Sequence, residues 1–144
     1  MKKAISVLLL AALALTLLCA CGGEKTDVIY FQNDIGEKVP GFYVSSTEDQ
    51  SWGDPLNLAT VSVGGKITID LDKLPSGSGV VYDIGAVDET GMLYEFYEIP
   101  ITIGDTIAIS SAGDGENAYL KITGTDGQIT EYQGVYYSIE DDAE

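Results

Sequence analysis

The sequence contains no histidine and no arginine: all seven of its cations are lysines, set against 23 Asp and Glu for a formal net charge of −16. Each absence removes a class of function. Without an imidazole there is no Ser-His-Asp or Cys-His catalytic arrangement and no His-ligated zinc, copper or non-haem iron site. Without arginine and with few lysines there is no basic face to follow a phosphate backbone, so nucleic acid is excluded as a partner. Cysteine is scarce, at two residues, and tryptophan scarcer, at one. After residue 26 no stretch sustains a 3.6-residue apolar period, which leaves strands as the main element. What is present is a globular composition: 45% apolar and 21% charged residues over 144 positions favour one folded domain.

Residues 1–20 read as an address. Met1-Lys2-Lys3 is a charged start, residues 4–18 are apolar apart from Ser6 and Thr16, and small residues follow. The run is short for a transmembrane span, which needs roughly 20 apolar residues. Its end, Leu18-Cys19-Ala20-Cys21, resembles the lipobox of bacterial lipoproteins. The resemblance implies a signal peptide over 1–20, acylation of Cys21 and a short tether through 27. A folded domain over 28–139 and an acidic tail at 140–144 complete the expected organisation. The expected location is lipid-anchored on the extracytoplasmic face of the cell membrane, or at the outer membrane of a Gram-negative envelope. The alternative is an ordinary secreted protein cut near Ala20. If Cys19 leaves with the leader and Cys21 carries lipid, the domain has no disulfide and no Cys metal site. Lys2 and Lys3 leave as well, so five lysines face 23 acids and the charge is −18. Such a surface repels anionic headgroups and accepts cations.

The remaining chain alternates with period 2 between turn signals. The pattern predicts a strand over 28–32, a turn at 33–36 and a returning strand over 41–45. A long polar loop spans 46–57. A short strand over 60–63 is expected to turn at Gly64-Gly65 into a strand over 66–71. The strongest hairpin joins 80–87 to 92–97 through Asp88-Glu89-Thr90-Gly91, with Tyr82, Ile84 and Ala86 on one face and Met92, Tyr94 and Phe96 on the core side. Ile99, Ile101 and Ile103 continue at period 2. Strands over 106–110, 118–123 and 128–132 follow, with 134–139 as a further strand or a bulged continuation. Eight or nine short strands predict an all-β fold, an antiparallel β-sandwich, with a squashed β-barrel as the alternative.

Three pieces carry a second resemblance: Tyr43-Val44-Ser45-Ser46 with Ser51-Trp52-Gly53-Asp54-Pro55-Leu56; Gly65-Lys66-Ile67-Thr68-Ile69; and Tyr82-Asp83-Ile84 with Asp88, Gly91, Tyr94 and Phe96. Together they resemble a small domain of uncharacterised secreted proteins and lipoproteins of bacteria. The resemblance covers about residues 28–110 and implies a β-rich extracellular module without assigning a substrate. That family often carries Arg after Tyr-Asp-Ile, where this chain has Gly85.

Three sets of residues are candidates for a site. Asp49 and Asp54 in one loop, and Asp88 and Glu89 in a turn, are turn-formers on an acidic surface; converging at one end of a sandwich they would offer oxygens to calcium. Asp114 and Glu116 lie in a further loop. Trp52, with Tyr94 and Tyr97, would form an aromatic platform for a sugar ring or a protein partner; alternatively Trp52 folds back to plug one end of the sandwich. Glu95 and Glu98 are the acids within an apolar run, and their strand pattern turns them outward. No cofactor is called for. The resulting reading is a non-catalytic binding or adhesion module, membrane-bound through lipid on Cys21, with a glycan or protein partner. A structural or accessory envelope component without a ligand is the alternative, and a small hydrolase is third.

Overall fold

The computed structural model describes residues 27–75 and 81–142. The leader, the lipobox with Cys21, part of the 75–79 loop, Val80 and the last two residues of the acidic tail lie outside the described residues. Eight strands follow one another: β1 (Val28–Asn33), β2 (Gly41–Ser46), β3 (Lys66–Asp70), β4 (Val81–Val87), β5 (Met92–Pro100), β6 (Thr106–Ser111), β7 (Asn117–Thr123) and β8 (Ile129–Ser138). Short 3₁₀ turns follow β3 and β8. Among the described residues no helix is long and apolar enough to cross a membrane.

The all-β expectation holds, with a different layering. All eight strands join one sheet in the order β2-β4-β5-β8-β7-β6-β1-β3, curled into a half-barrel. Seven neighbour pairs form it; β1 and β6 run parallel and the others antiparallel. Curling brings the two ends of the sheet face to face. Phe31 of β1 and Phe42 of β2 stack with ring centroids 4.2 Å apart and planes 11° from parallel. The inner face is the core: Ile29, Ile84, Phe96, Ile107, Ile109 and Leu120 are fully buried there. One curled sheet thus covers its apolar face as two packed sheets would, by facing its own other half.

Two local expectations are corrected. Strands β1 and β2 do not form a hairpin: β1 pairs with β3 and β6, and β2 pairs with β4. Residues 60–63 form no strand with β3; Val61 makes an isolated bridge to Val39. Buried Asn33 explains the second. Its amide Nδ2 donates to the carbonyls of Glu37, Val61 and Ser62, and its backbone N–H and C=O bond Gly65 and Gly64. The backbone groups that would have paired across a hairpin are already satisfied.

Strand β5 carries a parity break. Phe96 and Ile99 are both buried although three positions apart. A bulge opposite Asp83 absorbs the extra residue, the register shifting between Tyr82 and Ile84. Glu98 takes φ 55° there, a left-handed conformation that is costly for a residue with a side chain. The Asp83 carboxylate accepts the Glu98 N–H at 2.9 Å. Bulges re-aim side chains, and this one leaves Tyr97 on the outer face. The period also ends sooner than expected, since Ile101 is buried but Ile103 is exposed.

Candidate functional site

The outer face of the sheet carries a row set by strand register. Tyr43 on β2 pairs with Gly85 on β4, Gly85 with Glu95 on β5, and Glu95 with Val135 on β8. Their chain neighbours Phe42, Val44, Ile84, Ala86, Tyr94 and Phe96 all point into the core, so the row faces away from it. Gly85 leaves a gap in this row, and Trp52 fills it. A Cβ built on Gly85 would lie 3.1 Å from indole atoms Cδ2, Cε3 and Cζ3. Glycine in a strand interior here marks a close approach. Tyr43 supports the indole from the side, ring centroids 6.5 Å apart and tilted 53°. On β8, Gly134 has the matching role inward, because a Cβ there would meet the Phe96 ring and the Glu95 carbonyl.

The loop that delivers Trp52 is pinned at both ends. After β2, the Asp49 N–H donates to the Ser46 carbonyl at 3.0 Å. Before residue 58, the buried Asn57 side chain accepts the Phe42 N–H at 2.8 Å and donates to the carbonyls of Pro40 and Ala59, each at 3.0 Å. Leu56 N–H donates to the Phe42 carbonyl at 2.7 Å. The segment therefore lies along the edge strand, and Trp52 is only partly buried. The expectation that Trp52 plugs an end of the core is corrected: the indole rests on the outside of the sheet.

Two hollows share Trp52 as a wall. One, of about 240 Å³, is lined by Asp49, Gln50, Asp83, Glu95 and Tyr97. The other, of about 590 Å³, is lined by Asp49, Asp54, Leu56, Leu58 and Lys73. The smaller has three carboxylates and no lysine in its wall. Glu95 is 9% exposed. The Tyr97 hydroxyl hydrogen-bonds to Glu95, and burial, that bond and the nearby carboxylate charge push the phenol up to about 12. Tyr97 therefore stays a neutral donor throughout the physiological range. Tyr97 is 57% exposed, and Val135 on the neighbouring strand is 48% exposed.

The structure brings together Trp52, Tyr97, Asp49 and Asp54 of the sequence candidates and separates the rest. Tyr94 is corrected as a platform residue. It is 3% exposed, stacked at 5.0 Å on Tyr136, and donates to Asp88 Oδ2 at 3.0 Å. Desolvation and the Asp88 carboxylate raise its phenol well above the usual range. Asp88 is buried and occupied: Oδ1 also accepts Thr90 N–H, Thr90 Oγ1 and Met92 N–H. Glu89 pairs with Lys38 at 3.2 Å across two exposed side chains, a contact worth little. Asp88 lies five strand residues from Asp83, about 16 Å along β4, and so stands away from the hollow that Asp49 lines with Asp83. No group of three or more His, Cys, Asp or Glu suited to a metal exists among the described residues. Asp114 is likewise a turn-former, held down to about 2 by the amide and backbone donors of Asn117 and the Glu116 N–H.

Glu95, considered above only as one of a pair of acids with Glu98, completes the site with Asp83, Gln50 and Tyr43, which the sequence does not single out. The signal for Glu95 is its outward parity between Tyr94 and Phe96, and for the Trp52 seat it is a glycine interrupting an otherwise filled strand. A scan of protein-family models, a search of curated proteins and a search of solved structures returned no match.

Proposed function

We propose that this chain is a membrane-anchored extracytoplasmic lipoprotein whose domain is a non-catalytic binding module, taking a glycan on the Trp52–Tyr97 face. The observation that carries the reading is the placement of Trp52. A partly exposed indole is seated on Gly85 and walls two adjoining hollows, the smaller edged by Glu95, Asp83, Asp49 and Gln50 and the larger by Asp49, Asp54 and Lys73. An aromatic plane bordered by acceptors suits a ring with one apolar face and hydroxyl edges. Both hollows open to solvent, which leaves room for a ligand larger than a single ring. The lipobox-like Leu18-Cys19-Ala20-Cys21 supports the anchor.

Trp52 is the only tryptophan, so the emission of the full chain in detergent reports on this face alone. Titration with a panel of soluble oligosaccharides should give a saturable change in emission for at least one of them. Tyr97→Ala should weaken that ligand at least fivefold, and Tyr94→Phe should leave it unchanged. A panel without any saturable response would favour an accessory envelope component without a ligand. Metabolic labelling with a fatty-acid analogue tests the anchor, since label should depend on Cys21.

A further inference from the structure

The smaller hollow has a one-sided chemistry. Asp49, Asp83 and Glu95 line it with Gln50, Trp52 and Tyr97, and no lysine is among them. Of its acids, Glu95 is the buried one, at 9% exposure. A carboxylate offers about four acceptor sites, more than the one hydroxyl of neighbouring Tyr97 can fill. Buried acceptors left short of donors are costly unless something supplies them. Asp83 is committed differently, since its Oδ1 holds the strained Glu98 N–H at 2.9 Å. Glu95 is thus the acid with capacity turned to the hollow, next to a partly exposed indole.

We infer that the ligand of this face is an amino sugar whose protonated amine pairs with Glu95 while its ring lies on Trp52. The inference rests on the binding-module reading and names the ligand class for it. An ammonium brings three donors to a buried carboxylate and a positive charge to an indole face. The sugar ring supplies the apolar plane that a simple amine lacks. The same wall disfavours an acidic glycan, because three carboxylates would face its charge without a cation between them. Across the whole chain the charge of −16 adds steering for a cationic ligand.

The test is a titration of the full chain in detergent at 0.15 M ionic strength, read on Trp52 emission. Four probes are used: a tetramer of glucosamine, the same tetramer fully N-acetylated, spermine, and a tetramer of galacturonic acid. Glucosamine tetramer should bind at least tenfold more tightly than its acetylated form at pH 6, where the amine is charged. Glu95→Gln keeps the shape and should cut that preference to less than threefold. Asp49→Asn, at an exposed position of the same wall, should cut it partially. Glu131→Gln, on exposed β8 away from the hollow, should leave it intact. Equal binding of the two glucosamine forms would overturn the amine while sparing the glycan reading. Spermine binding as tight as the tetramer would overturn the sugar ring. An equal loss with Glu131→Gln would reduce the preference to net charge and overturn the pairing with Glu95. Silence from all four probes overturns the inference, and the wider oligosaccharide panel then decides the glycan reading separately.

Discussion

Gly85 is the position where the seat of Trp52 can be tested by a small perturbation of known size. A Cβ at Gly85 stands 3.1 Å from three indole atoms, where ordinary contact begins near 3.4 Å. Gly85→Ala therefore asks the indole to rise by a few tenths of an ångström, which a loop residue can do. Alanine also removes the excess backbone entropy of glycine, worth about 0.5–1 kcal/mol in a strand. The two effects oppose, and Gly85→Ala should unfold within about 0.5 kcal/mol of the wild type by these terms. Gly85→Val adds two methyl groups beneath the ring and should dislodge it. A tryptophan buries about 150–250 Å² when fully covered, so one seated face accounts for on the order of 100 Å², or about 2.5 kcal/mol. Set against the strand propensity of valine, the net cost should be about 1.5 kcal/mol. With an m-value near 1–1.5 kcal/mol per molar urea for a domain this size, the midpoint should fall by about 1 M. The assay is urea unfolding followed by circular dichroism, with the native emission maximum of Trp52 recorded alongside. Valine should shift emission to the red and lower the midpoint, and alanine should do neither. A valine variant with unchanged emission and midpoint would refute the seating of Trp52 on Gly85.

The other predictions concern the β4–β5 turn and the acidic surface. Asp88→Ala leaves the N–H groups of Thr90 and Met92 and the Tyr94 hydroxyl without their acceptor and should cost about 2–3 kcal/mol by chemical denaturation. Asp88→Asn retains one acceptor oxygen and should cost less than half of that; equal losses would show that the charge, and not the geometry, holds the turn. Burial and Asp88 raise the Tyr94 phenol above its ordinary value of 10. The folded state then holds its proton more tightly than the unfolded chain. The associated stability is complete below pH 10 and lost as pH climbs from there toward the raised value, at up to about 1.4 kcal/mol per pH unit. Tyr94→Phe should flatten that slope between pH 10 and 12, and an unaltered slope would place the titration elsewhere. Finally, because Asp88 is occupied within its turn, Glu89 pairs with Lys38 and no metal-suited group of three acids exists among the described residues, millimolar calcium should raise the melting temperature no more than magnesium at the same concentration. A saturable calcium-specific rise would refute this and point to carboxylates of the folded state that gather the ion.

Much of this protein is legible from residue order. Alternation of β-branched and aromatic residues marks each strand and its inner face: Ile84 and Ala86, Tyr94 and Phe96, and Leu120 and Ile122 all turn inward as their spacing requires. That same parity places Tyr94 in the core and Glu95 outside it, so alternation alone is enough to exclude Tyr94 from an outward platform. The turn at Asp88-Glu89-Thr90-Gly91 is equally plain, because its carboxylate and glycine act within five residues. Even the bulge leaves a trace in the odd spacing of Phe96 and Ile99.

What the order of residues leaves open is which strand lies beside which. Period 2 decides the face of a strand but carries no address for its neighbour. The parallel pairing of β1 with β6 joins residues far apart in the chain, while the consecutive β1 and β2 make no hairpin and meet through the stacked rings of Phe31 and Phe42. These arrangements follow from closing one sheet over a shared core, and from Asn33 and Asn57 holding the loops at its edges. The candidate site belongs to this second category. Trp52 and Tyr97 are visible as aromatics, yet their meeting beside Glu95 depends on the register of three strands and a gap at Gly85. Chemistry is written locally, and proximity is decided by the tertiary fold.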